Sequence, residues 1–149
     1  MNKRLLAAVT GAIVTLSACS LPLIGQTPTP SPSASARPKS TATLTIAQPS
    51  ANTVVTTATL HVEFHLAGAR IVDVTTKNLT PDTGHIHLSI DGRLISMNYQ
   101  LSQDVSMQPF APGPHVVQGE FVAADHIPFD PRVITKVIVE YQPAPTPSP

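Results

Sequence analysis

Proline sets what this chain can fold into more than any other residue. It occurs 16 times in 149 residues and is unevenly placed. Residues 20–40 read SLPLIGQTPTPSPSASARPKS, and the stretch from Gln142 reads QPAPTPSP. Proline fixes φ and lacks a backbone donor, so neither stretch suits a helix or a central strand. Ser, Thr and Ala fill the gaps, and few large apolar groups follow Ile24. Such segments bury too little surface to offset the entropy of ordering. Both are expected to be disordered and to sample polyproline II. At about 3 Å per residue the first would reach ~60 Å. What remains, 41–142, is enough for one small domain with one core.

The N-terminus has a different character. Lys3 and Arg4 precede a run from Leu5 to Leu16 that is apolar apart from Thr10, Gly11 and Thr15. A basic start followed by a short apolar run is the layout of a secretory signal segment. It falls short of the roughly 20 apolar residues of a membrane span. Leu16-Ser17-Ala18-Cys19 closes the run and resembles the lipobox of bacterial lipoproteins. The resemblance implies cleavage before Cys19, a diacylglyceryl group on its sulfur, and retention at a membrane by two or more acyl chains. Cys19 is the single cysteine, so no intramolecular disulfide competes for it. The expected organisation is a signal peptide at 1–18, a lipid-anchored tether at 19–40, a folded domain at 41–142 and a disordered tail at 143–149. The expected location is the extracytoplasmic face of a membrane in the cell envelope.

The folded part reads as strands. Leu60-His61-Val62-Glu63-Phe64-His65-Leu66 alternates apolar and polar residues, as does His85-Ile86-His87-Leu88-Ser89-Ile90. Asp91-Gly92 supplies a hairpin turn, from which Leu94 to Met97 can return. Thr43–Ile46, His115–Ala123 and Val133–Tyr141 complete the set, and no segment shows a capped 3.6-residue period. The expected fold is all-β, a single immunoglobulin-like β-sandwich of about seven strands.

Six histidines stand out where only 12% of residues are charged. Strand geometry sorts them. His61, Glu63 and His65 share a face, but His61 and His65 lie ~13 Å apart along the strand. They read as a solvated polar face. His85 and His87 share a face one step apart, close enough for two imidazoles to converge on one ion; a tight site needs a third ligand. In an immunoglobulin-like order the strand at 85–90 is C and that at 115–123 is F, its antiparallel neighbour. The start of C then lies beside the end of F, which brings in His126 from Asp125-His126-Ile127-Pro128. Asp125 and Asp130 stand near as candidate ligands or hydrogen-bond acceptors behind the histidines. His115, in Pro112-Gly113-Pro114-His115, falls at the other end, where a structural corner role is expected.

The same elements carry a second resemblance. Gly84-His85-Ile86-His87-Leu88-Ser89-Ile90-Asp91-Gly92, Pro112-Gly113-Pro114-His115 and His126-Ile127-Pro128-Phe129-Asp130-Pro131 occur in this order. Together they resemble a family of secreted bacterial domains, without an assigned activity, marked by GHHHLxID, PGxH and HxPHxP elements. The resemblance covers about residues 70–140 and implies an extracytoplasmic β-sandwich. Ile86 and Phe129 depart from it, each standing where the family has histidine. A metal site that needed either position would be lost or weakened. Copper/zinc superoxide dismutases are similar in bearing a His-x-His on a sandwich strand, but their further histidines and disulfide have no counterpart here.

Composition removes other classes. Without Lys3 and Arg4 there are seven basic and nine acidic residues, a formal charge of −2, with no tryptophan. There is no basic footprint for nucleic acid and no glycine-rich phosphate cradle. No Ser, Cys or Lys sits in a nucleophile motif, so no enzyme is expected. Two readings remain. One is a non-catalytic binding or structural module held at the membrane by its lipid, with an envelope protein as partner. The other is a lipoprotein binding Cu(II) or Zn(II) through His85, His87 and His126, ions that imidazole ligands suit. Met97 and Met107 are sulfur donors suited to Cu(I), though ordinary packing is the better account of such residues.

Overall fold

The structure is a computed structural model, and it describes residues 37–145. The signal segment, Cys19, most of the tether and the last four residues of the tail lie outside the described residues.

Among the described residues there are nine strands and no helix. In chain order these are β1 (Thr43–Gln48), β2 (Thr53–Val55), β3 (Thr59–Ala67), β4 (Arg70–Ile71), β5 (Thr83–Ile90), β6 (Arg93–Asn98), β7 (Ser102–Ser106), β8 (Gly113–Ala123) and β9 (Pro128–Tyr141). One sheet has the order β1-β3-β7; the other has the order β2-β9-β8-β5-β4, with β6 also paired to β5. This is an immunoglobulin-like sandwich. The seven strands of five residues or more match the expected number, and β2 and β4 are short parallel additions at the edges. Sequence periodicity missed β7 because only Val105 of its five residues is both apolar and buried.

Alternation along the strands builds the core. On β3, Leu60, Val62 and Phe64 point inward; on β5, Ile86, Leu88 and Ile90 do, all three fully buried. Phe121 of β8 stacks on Phe129 of β9 with ring centroids 5.3 Å apart. Each such side chain contributes about 1.5–3 kcal/mol on leaving water. At the β5–β6 turn, Asp91 and Gly92 have φ of 51° and 79°. Both values are positive, the geometry that matches the right-handed twist of paired strands.

The fold begins before Thr41. Arg37 and Ser40 both hydrogen-bond to residues of the sandwich, so 37–40 belong to the domain rather than to a free tether. Asp82 gathers this entry segment, accepting from Ser40 Oγ at 2.7 Å and from the Thr41 amide at 2.7 Å. At the other end Gln142 N donates to Val55 O at 2.9 Å.

The β5–β8 register is the frame for everything below. Gly84 pairs with Ala123, His85 with Val122 and His87 with Glu120. A Cβ at Gly84 would stand 1.8 Å from the carbonyl oxygen of Val122, a backbone atom that cannot step aside. Gly84→Ala should therefore cost about 3 kcal/mol or more, at the upper end of overpacking losses. Urea unfolding followed by circular dichroism checks this; an unchanged midpoint would contradict the register.

Candidate metal centre

The pleat that sends Ile86 and Leu88 into the core sends His85 and His87 to the outer face of the larger sheet. There the two imidazoles lie with centroids 5.0 Å apart. The turn after β8 supplies the third. Ala123 O accepts from His126 N at 2.9 Å, and Ala123 N donates to Ile127 O at 3.1 Å. His126 takes a φ of +64° in this turn. Non-glycine residues hold that left-handed conformation only where the surroundings over-determine it. The effect is to turn the His126 ring back over β5, 4.4 Å from that of His85.

Three ring nitrogens meet. His85 Nε2 lies 3.1 Å from His87 Nε2 and 2.9 Å from His126 Nδ1. One nitrogen from each residue falls within 4.8 Å of the others. Around a tetrahedral ion with bonds of 2.0–2.1 Å, adjacent ligands stand about 3.3–3.4 Å apart. The two separations from His85 Nε2 fall within a few tenths of an ångström of that spacing. The opposite nitrogen of His126, Nε2, lies 2.9 Å from Thr75 Oγ1. If that nitrogen carries the proton and donates to the hydroxyl, Nδ1 is left as a lone-pair ligand.

Electrostatics favour the neutral form of His85 and His87. His85 is fully buried, and burial, reinforced by His126 and His87, lowers its pKa to about 4. Burial and His126 also lower the pKa of His87, against an opposing pull from Glu120. Neutral imidazoles are the form that ligates metal. A shared proton satisfies two of the nitrogens, whereas a cation satisfies all three. Among the described residues His85 Nδ1 is buried without a hydrogen-bond partner, so in either tautomer they leave one polar atom of this ring unmet. They supply no carboxylate or carbonyl of the kind that commonly orients a ligating histidine at His85.

The two aspartates do not play the part expected of them. Asp125 gives both carboxylate oxygens to Arg37 and also accepts from Ile127 N. Asp130 is exposed and makes no side-chain hydrogen bond among the described residues. Neither bonds a histidine, and the partner found behind His126 is Thr75 instead. His115 is a corner residue, held by Asp91 Oδ2 at 2.6 Å and Ala111 O at 2.7 Å. His61 pairs on the surface with Asp104 at 2.7 Å, away from the cluster. Ile86 and Phe129, the two departures from the family pattern, both lie in the core, so neither side chain is among the three that converge.

No family model and no curated protein matches this chain. Among solved structures it is similar to fibronectin(III)-like modules of CbhA from Clostridium thermocellum, at 12% identity and a TM-score of 0.44 over 68% of this chain and 99% of that one. It is also similar to the PKD domain of human KIAA0319, at 16% identity and a TM-score of 0.44 over 80% of this chain and 97% of that one.

Sequence reasoning missed two further residues of this face. Tyr99 packs beside His85 with centroids 5.2 Å apart. Glu120, the cross-strand partner of His87, is buried and held by a two-pronged bond from Arg132, 2.6 Å on each side. Its place on the strand was readable, because residues 118, 120 and 122 alternate with the apolar 117, 119 and 121 positions. Its burial was not, because Arg132 reaches it from a bulged stretch where β9 slips register against Phe121 and Val122.

The low pKa of His85 has a sign that can be measured. Unfolded, the ring titrates near 6.5; folded, near 4. Between these values the unfolded chain binds the extra proton, so this group's stabilisation is complete above pH 6.5 and is lost as pH falls toward 4. The loss amounts to about 3 kcal/mol. His115 acts in the opposite sense. Burial opposes its charge, but the Asp91 bond and the Ala111 carbonyl outweigh it and raise its pKa. Its stabilisation is therefore complete below pH 6.5 and lost as pH rises through its higher folded value. A pH titration of the His85 ring resonances by NMR should show a midpoint near 4; a midpoint at or above 6.5 contradicts the buried, neutral site.

Proposed function

We propose that this protein is a metal-binding lipoprotein of the cell envelope, taking Cu(II) or Zn(II) at His85, His87 and His126. The observation that carries the reading is the convergence of His87 Nε2 and His126 Nδ1 on His85 Nε2, at 3.1 and 2.9 Å, with one nitrogen of each residue within 4.8 Å of the others. Three imidazoles with a fourth position left to water or a guest ligand are a donor set that suits both ions. No thiolate or carboxylate belongs to the group, so hard, oxygen-seeking cations such as Mg(II) and Ca(II) have little to bind.

The lipobox resemblance at Leu16-Ser17-Ala18-Cys19 supports a membrane anchor, and the proline-rich stretch after it supports a spacer. The domain would then bind metal on the outer side of a membrane within reach of that spacer. It has no catalytic role in this reading. The other function left open by the sequence, a module that docks an envelope protein, needs no meeting of imidazoles.

Calorimetric titration of Cu(II) and Zn(II) into the full chain carrying Cys19→Ser tests the proposal. Stoichiometric binding at micromolar Kd or tighter is expected, with at least a hundredfold loss in His87→Ala. Metal at 100 times its Kd should add about 2.7 kcal/mol and raise Tm by roughly 10 °C or more. Equal, weak binding by both proteins would overturn the metal reading and leave the protein-docking module.

A further inference from the structure

Arg37 is the first residue the structure describes, yet its side chain makes four hydrogen bonds to residues 88–91 positions away. Its guanidinium grips Asp125 in a fork, with Nη1 to Oδ2 at 2.5 Å and Nη2 to Oδ1 at 3.0 Å. Nη2 also donates to Ile127 O at 2.7 Å, and Nε donates to Pro128 O at 3.1 Å. The bonded residues flank His126 on both sides. Asp125 Oδ1 also accepts from Ile127 N at 3.2 Å, which closes the turn on itself.

His126 has no regular element to hold it. It lies between β8 and β9 with a left-handed φ of +64°. A backbone in that state relaxes when its restraints go. One is its own turn bond to Ala123 and another the bond of its ring to Thr75; those on the flanking residues come from Arg37. The Arg37–Asp125 pair is partly shielded, with side-chain exposures of 26% and 17%. A planar fork of donors meeting a carboxylate and two carbonyls is a geometry that lysine cannot reproduce.

We propose that Arg37 is a positioning residue that locks the Asp125–Pro128 turn so that His126 faces His85, coupling occupancy of the three-histidine site to docking of the segment by which the chain enters the domain. The metal half of this inference rests on the function proposed above; the positioning half does not. An ion that holds His126 in place favours the docked turn and therefore the docked Arg37, and by linkage docked Arg37 strengthens binding of the ion by the same factor. A protein cut at Thr41 would lack the clamp and bind metal more weakly than the full chain.

The test has a metal-free arm and a metal arm, both on the full chain with Cys19→Ser. In the first, NMR cross-relaxation between the rings of His85 and His126 is compared with that between His85 and His87. Arg37→Ala should lose the His85–His126 signal, keep the His85–His87 signal, and speed exchange of the Ile127 amide at least tenfold. In the second, zinc chloride is titrated by calorimetry. Arg37→Ala should weaken zinc binding at least tenfold, Arg37→Lys should recover little of it, and neither change should matter further in a His126→Ala background. Persistence of the His85–His126 signal in Arg37→Ala overturns the positioning role, whatever the metal arm shows. An equal loss of zinc affinity with and without His126 overturns the coupling, because Arg37 would then not act through that ligand. A parent chain that binds neither zinc nor, in the same titration with copper(II) chloride, copper sinks the metal reading and the coupling with it, while the first arm still decides the positioning role.

Discussion

The pairing of β5 with β8 is the contact on which the rest of the structure depends. Its pleat divides one eight-residue strand between two tasks. Ile86, Leu88 and Ile90 fill the space between the sheets, and His85 and His87 stand on the far side. A slip of one residue would put imidazoles in the core and isoleucine in water, so the apolar face fixes the histidines as firmly as it fixes itself. The antiparallel direction does the rest. It sets His85 opposite Val122 at the end of β8, where the chain must turn, and His126 lies in that turn.

The cluster is a place where the free protein is not at ease. Three imidazoles crowd together, one fully buried, with His85 Nδ1 lacking a partner among the described residues. Burial disfavours the protonated form that would relieve a lone-pair clash, as the low pKa of His85 records. Local strain of this kind persists where surrounding structure over-determines it, and here the surroundings are rigid: two of the histidines sit on a central strand, and the third sits in a turn pinned by Arg37 and Thr75. A divalent cation would trade this crowding for three coordination bonds.

Much of this was legible in the sequence where the deciding pattern was local. The alternation at 85–90 told which face His85 and His87 share, and the immunoglobulin-like strand order told that His126 would come to them. The Asp91-Gly92 turn was readable because its residues tolerate positive φ. What escaped depended on long-range partners that periodicity does not encode. Asp125 looked like support for a metal because it adjoins His126; a guanidinium 88 residues away takes it instead. Arg37 looked like tether because its neighbours are Pro, Ser and Ala. Thr75 and Tyr99 lie outside any motif, and β2 and β4, at three and two residues, are too short to show a period.

The central claim is that His85, His87 and His126 bind one ion together. X-ray absorption at the zinc edge of the zinc-loaded full chain addresses it most directly. The account predicts a first shell at 2.0–2.1 Å with the outer-shell scattering of three imidazoles, reduced by one in His126→Ala. A shell of oxygens without imidazole scattering, or a spectrum that His126→Ala leaves unchanged, would contradict it.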